Sequence, residues 1–262
     1  AMGDATASGV VPGSVDGAVA VGCRPRRRGA AAVVCALLGI ALLGGAGASV
    51  WADRRAAAQP VSAAEAYRKA ASLWHRTPVE TLFPSVLDGR GAGPGGADRT
   101  WTRVAVAADA DCAGALPPDW QPLLAGTGCT RVLRATYTDA TRSSLVTVGM
   151  VFTPADATAM AALRGRLPLP QGYGFADPQR AAWTVSVLPD APVVVYAVSA
   201  YADGRPVARP RAAEEAMQKD DTSAVAQAGL GHEAKAVADR VERALRALAV
   251  PPTQEPTPEP AR

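Results

Sequence analysis

The chain has 262 residues, including 25 Gly and 22 Pro, which gives room for one domain plus extensions and places part of the length outside any packed core. It carries 27 Lys and Arg against 24 Asp and Glu, a net charge of +3, and residues 1–28 contribute four Arg and two Asp, so the remainder is close to neutral. A neutral body without a basic stripe leaves no electrostatic ground for a nucleic-acid partner.

Residues 1–28 are small and polar and read as a disordered cytoplasmic tail. From Gly29 to Trp51 run 23 uncharged residues. At a helical rise of about 1.5 Å each they reach roughly 34 Å, enough for a hydrocarbon core of about 30 Å. Arg24, Arg26, Arg27 and Arg28 precede the run, whereas Arg54 and Arg55 after it are partly offset by Asp53. That asymmetry predicts a transmembrane helix over 29–51, with the N-terminus in the cytoplasm and everything downstream outside. Val50-Trp51-Ala52 also has the small-residue spacing of a leader cleavage site, so removal after Ala52 is the rival reading; a 28-residue preamble and a 23-residue span are both long for a leader. Ala41, Gly45 and Ser49 recur at four-residue spacing, a packing face for a homodimer of the span.

The cysteines agree with this topology. Cys23 falls on the cytoplasmic side and Cys35 within the span, which leaves Cys112 and Cys129 on the oxidising side to form a disulfide. Neither a C-x-x-C pair nor metal-ligand spacing with His75 or His232 is present.

Residues 60–87 read as two membrane-proximal helices. Ser62 and Glu65 have capping-box spacing, and Thr77-Pro78 with Glu80 opens a second short helix. A Gly-rich linker is expected over 88–99. The body, 100–249, then reads as strand, Pro-rich helical turn, strand, hairpin strand and a helix introduced by Thr153-Pro154 and Asp156. Strands "AWTVSVL" and "VVVYAVSAY" and a helix over 231–249 complete it. That order predicts an α+β class, specifically a ferredoxin-like βαββαβ domain extended by one strand and a long C-terminal helix. "LVTVGMVF" is apolar on both sides, so the sheet needs a cover on its second face, for which the C-terminal and membrane-proximal helices are the candidates. Residues 250–262 form an extended Pro-rich tail, read as disordered.

Motifs for chemistry are sparse. Gly91–Gly96 matches G-x-G-x-x-G, but a linker leads from it into a strand where a dinucleotide site needs a helix N-terminus. Asp109 and Asp111 suit a strand end better than a cation, and His232-Glu233 suits a helix start better than an acid–base pair. There is no G-x-S-x-G, P-loop or H-E-x-x-H. No catalytic residue, cofactor or metal is therefore expected. Tyr173, Phe175, Tyr196 and Tyr201 are the candidates for a partner or ligand surface.

At "GADRTWTRVAVAADADC", "CTRVLRATYTDATRSS", "VVVYAVSAYADGR" and "AQAGLGHEAKAVADRVERAL" the chain resembles uncharacterised single-pass membrane proteins of actinomycetes, over most of residues 62–248. The resemblance implies an anchored, exported architecture and transfers no catalytic residue. The expected role is thus a non-enzymatic envelope protein, anchored by one span, whose external domain binds another protein. A small-ligand sensor and an envelope hydrolase with an atypical site are the alternatives.

Overall fold

The computed structural model describes residues 62–108 and 110–249. The expected tails 1–28 and 250–262 and the span 29–51, with Ala41, Gly45 and Ser49, lie outside the described residues. Among those described, no helix is long and apolar enough to cross a membrane.

Three short helices open the domain: α1 (Ala63–Ala70), α2 (Leu73–Arg76) and α3 (Val79–Leu82). Ser62 caps α1 by accepting from the Glu65 amide at 3.2 Å. Thr77 does not cap α3; it closes α2, and Pro78 stands at the N-cap of α3. Next come β1 (Val86–Gly89), β2 (Arg99–Val106), α4 (Cys112–Ala115), α5 (Gln121–Leu124), β3 (Arg131–Asp139) and β4 (Ser144–Phe152). They are followed by α6 (Ala157–Ala161), β5 (Ala182–Val187), β6 (Val193–Tyr201), β7 (Arg211–Ala212), α7 (Ala213–Ala216), α8 (Ala224–Gln227) and α9 (Leu230–Ala249). The cap of α6 is Asp156, which accepts from the Ala159 amide at 2.8 Å, while the Thr153 hydroxyl turns inward to Pro192 O.

Among the described residues the strands form one seven-stranded sheet in the order β1-β2-β3-β4-β6-β5-β7, antiparallel except where β7 lies beside β5. The ferredoxin-like arrangement is therefore corrected. A split β-α-β unit would insert another strand between β2 and β3, yet these two are antiparallel neighbours. The reason lies in their connection. Pro117, Pro118 and Pro122 limit α4 and α5 to four residues each, too short for a crossover helix, so the chain returns along the adjacent edge. Segment 88–99 also differs from a free linker: Val86–Gly89 pairs with Arg99–Thr102, and residues 90–98 are the loop of that hairpin.

The sheet is covered on two faces by different elements. On one, Trp101, Tyr137, Val146, Val148, Met150, Val193 and Val195 pack against Ala234, Val237, Val241 and Leu245 of α9 and against Leu73, Leu82 and Phe83 of the opening helices. The helical spacing of the α9 residues makes that apolar stripe. Gly231 lets the start of α9 approach α7, because a Cβ there would meet Ala213 O and Ala216 Cβ at 2.9 Å. Both expected covers therefore lie on this one face. The opposite face is covered by Ala115, Leu116, Trp120, Leu124, Met160, Leu163 and Leu167, from and around α4, α5 and α6, over Val132, Val151, Val194, Tyr196 and Val198. The Cys112–Cys129 disulfide, with a Cα–Cα distance of 6.2 Å, closes the segment that supplies half of this cover.

Candidate functional site

One wing of the sheet stays bare. Val86 is 53%, Val104 55% and Val106 38% exposed, three of the four exposed large hydrophobics among the described residues. A bulge between Arg103 and Ala105 in the β2–β3 ladder places the two β2 valines there. The Ala107 amide donates to Arg134 O, so the Val106 amide and carbonyl, one residue earlier, point away from β3. On that outer side β1 reaches only to Val86 opposite Thr102, with Ser85 O accepting from the Arg103 amide at 2.8 Å. Beyond Arg103 the outer edge of β2 has no strand beside it among the described residues.

A hollow of about 300 Å³ adjoins this open edge. Trp74, Val79, Leu82, Phe83, Val106 and Leu133 give it apolar and aromatic walls, and Arg134 is its charged member. The Arg131 guanidinium stacks 4.5 Å from the centroid of Trp74, and Arg103 donates to Phe83 O, so the walls are tied to β2 and β3. A second hollow, about 590 Å³, lies over Thr102, Val104, Thr138 and Leu145 on the face away from α9.

The wing is fixed from the α9 side. Trp101 donates through Nε1 to Glu233, which is 4% exposed, pairs with Arg99 at 3.3 Å and accepts from the Ser144 hydroxyl at 3.4 Å. Burial pushes the Glu233 carboxyl above its ordinary range, against the pull of Trp101 and Arg99. Burial likewise holds the adjacent His232 imidazole below its own range. Glu233 thus points into the core at a structural junction. Arg240 bonds Asp88 O and lies over the Trp101 ring. At the β3–β4 turn, burial pushes the Asp139 carboxyl up, but the Thr141 hydroxyl, the Ser144 backbone and the Ser143 and Ser144 hydroxyls outweigh it and hold it at about 2.

Of the four aromatics singled out by sequence, three come together. Tyr196 is buried and lies edge-on to Trp120, and Phe175 packs against the same cluster. Tyr173 O accepts from the hydroxyls of Thr136 and Thr147 at 2.7 and 2.9 Å, which pins its loop to β3 and β4. Tyr201 stands apart, donating to Ala224 O at 2.8 Å with Arg205 stacked on its ring. Asp111 caps α4 by accepting from the Gly114 amide at 2.7 Å, and Asp109 lies outside the described residues. Gly91–Gly96 is followed by β2, so the strand–loop–helix order of a dinucleotide site is absent; the start of α9 packs against this loop instead, with Gly229 against Pro94 and His232 bonded to the Ala92 backbone. Among the described residues no group of three His, Cys, Asp or Glu is placed to hold a metal. The sequence does not single out Trp74, Val104, Val106 or Arg134 as functional; the trace of the two valines is "RVAVA", where four apolar residues follow a Thr/Trp alternation without the expected polar partner.

No family model, curated protein or solved structure matches this chain.

Proposed function

We propose that the chain is a membrane-anchored envelope protein that binds another protein by accepting an extended segment of it beside β2. The observation that carries this reading is the open outer edge at Val104–Val106 next to an aromatic-lined hollow. Main-chain bonds to such an edge supply affinity, and a pocket for alternate side chains supplies selectivity. Anchoring by residues 29–51 is supported by the uncharged run and its arginine asymmetry. An external position for the domain is supported by the Cys112–Cys129 bond, since disulfides persist on the oxidising side.

The test uses the full chain in cells with a photo-crosslinking residue at Val104, and the same residue at exposed Arg243 on α9 as control. A single partner attached at Val104 through an extended segment and absent at Arg243 is the expected result. Val106→Pro removes the outward amide while sparing the β3 ladder, so it folds and loses that partner. Equal labelling at both positions, or labelling that survives Val106→Pro, refutes the reading.

A further inference from the structure

Two polar groups on the face away from α9 are buried without partners. The Tyr196 hydroxyl belongs to a side chain that is 0% exposed and makes no hydrogen bond, and Arg134 Nε is likewise buried and unbonded. They belong to one cross-strand row: Arg134 of β3 pairs with Gly149 of β4, and Gly149 pairs with Tyr196 of β6. Because Gly149 has no side chain, the Tyr196 ring lies across it, with the hydroxyl oxygen 2.5 Å from the place a Cβ would take. That direction leads to Arg134, whose positive charge acts on the phenol. Tyr173 covers the guanidinium, its ring centroid 5.3 Å from Cζ. Arg134 has no carboxylate partner among the described residues.

An unbonded buried donor is costly, and more so when it is charged. Two such donors in one row call for an acceptor between them. A water accepting from both would still have two protons to place, and the nearby Thr136 and Thr147 hydroxyls and Tyr173 O are already bonded to one another. A carboxylate oxygen takes both donors and brings no proton. We propose that Arg134 and Tyr196, roofed by Tyr173, form a binding site for a small free carboxylate. Arg134 and the Tyr173 that roofs it are only half-buried, which gives such a ligand its way in from that same face.

This site is separate from strand addition at β2. Val106→Pro leaves it intact, so the two proposals fail independently. The probe is sodium acetate against sodium chloride at equal ionic strength and fixed pH, read as the thermal midpoint of the full chain in detergent. Acetate near a hundredfold above its dissociation constant is expected to raise the midpoint by roughly 5 °C or more, with chloride ineffective. Tyr196→Phe weakens the acetate response roughly tenfold. Arg134→Met abolishes it, and Arg134→Lys, which keeps the charge and loses the planar Nε–H, removes most of it even if the Met variant does not fold. No acetate-specific shift in the wild type overturns the proposal, as does a shift unaltered in Arg134→Lys and Tyr196→Phe.

Discussion

Replacing Gly149 by Ala adds one methyl group where the sheet has no room for it. The new Cβ would lie 2.5 Å from the Tyr196 hydroxyl oxygen and closer still to Cζ and Cε1. Ordinary carbon contacts are about 3.5–4.0 Å, so the ring has to retreat by more than about 1 Å. It has nowhere to go: Tyr196 is buried, Trp120 stands edge-on at 5.5 Å, and β4 and β6 are hydrogen-bonded along their whole lengths. Overpacking of this kind costs about 1–3 kcal/mol, and a rigid, fully enclosed ring argues for the upper end. For a domain of this size, about 3 kcal/mol lowers the thermal midpoint by roughly 6–12 °C. The assay is urea and thermal unfolding of the full chain followed by tryptophan fluorescence, on Gly149→Ala, Tyr196→Leu and the double variant. Tyr196→Leu alone creates a cavity and is destabilising. In the double variant the added methyl meets no ring, so the combined loss falls short of the sum by about 2 kcal/mol. A Gly149→Ala protein within about 0.5 kcal/mol of wild type, or strict additivity, would refute the reasoning.

Asp139 gives a pH prediction of definite sign. Its folded carboxyl sits at about 2 against an ordinary 3.8, so the stabilisation is complete above the higher value and lost as pH falls through the lower one. About 2 kcal/mol disappears between roughly pH 4 and pH 2. Asp139→Asn flattens that part of a urea-unfolding profile, and an unchanged acid slope would show that the β3–β4 turn does not carry it. Removing the disulfide by Cys112→Ser with Cys129→Ser destabilises the domain by about 3 kcal/mol on the chain-entropy account, and dithiothreitol brings the wild type to the same midpoint. A double variant as stable as the oxidised wild type would mean that the bond constrains nothing the fold needs.

What was legible in the sequence was local, and what was not depended on distant partners. "LVTVGMVF" announces a strand buried on both faces, and β4 is buried at every position from Ser144 to Phe152 except half-buried Leu145. Ser62 caps the helix it was read to cap, and the last helix begins one residue before the expected Gly231. β1 was missed because four residues beside a Gly-rich loop carry no periodicity; Leu87 finds its place only through Trp101 across the ladder. The cover of the second face was missed for a similar reason. Leu116, Trp120 and Leu124 recur every four residues, but prolines break the segment into pieces too short to display a helical stripe. Arg134 resembled any strand residue facing water, and nothing local says that Gly149 and Tyr196 flank it.

The two edges of the sheet are treated differently, and that difference bears on function. At one edge β7 pairs with Ala182 and Trp183 of β5, and the chain after it turns back into α7. At the other, β1 stops short of Val104, and a bulge turns valines outward where edge strands that serve only as boundaries carry charges or proline. Glu233, Arg240 and Trp101 meanwhile hold this wing firmly to α9. An apolar edge that is left open and also rigidly braced gains little as a terminus of the sheet. As a surface already shaped for an incoming strand, the same bracing lowers the ordering cost of association, because the receiving half is fixed before the partner arrives.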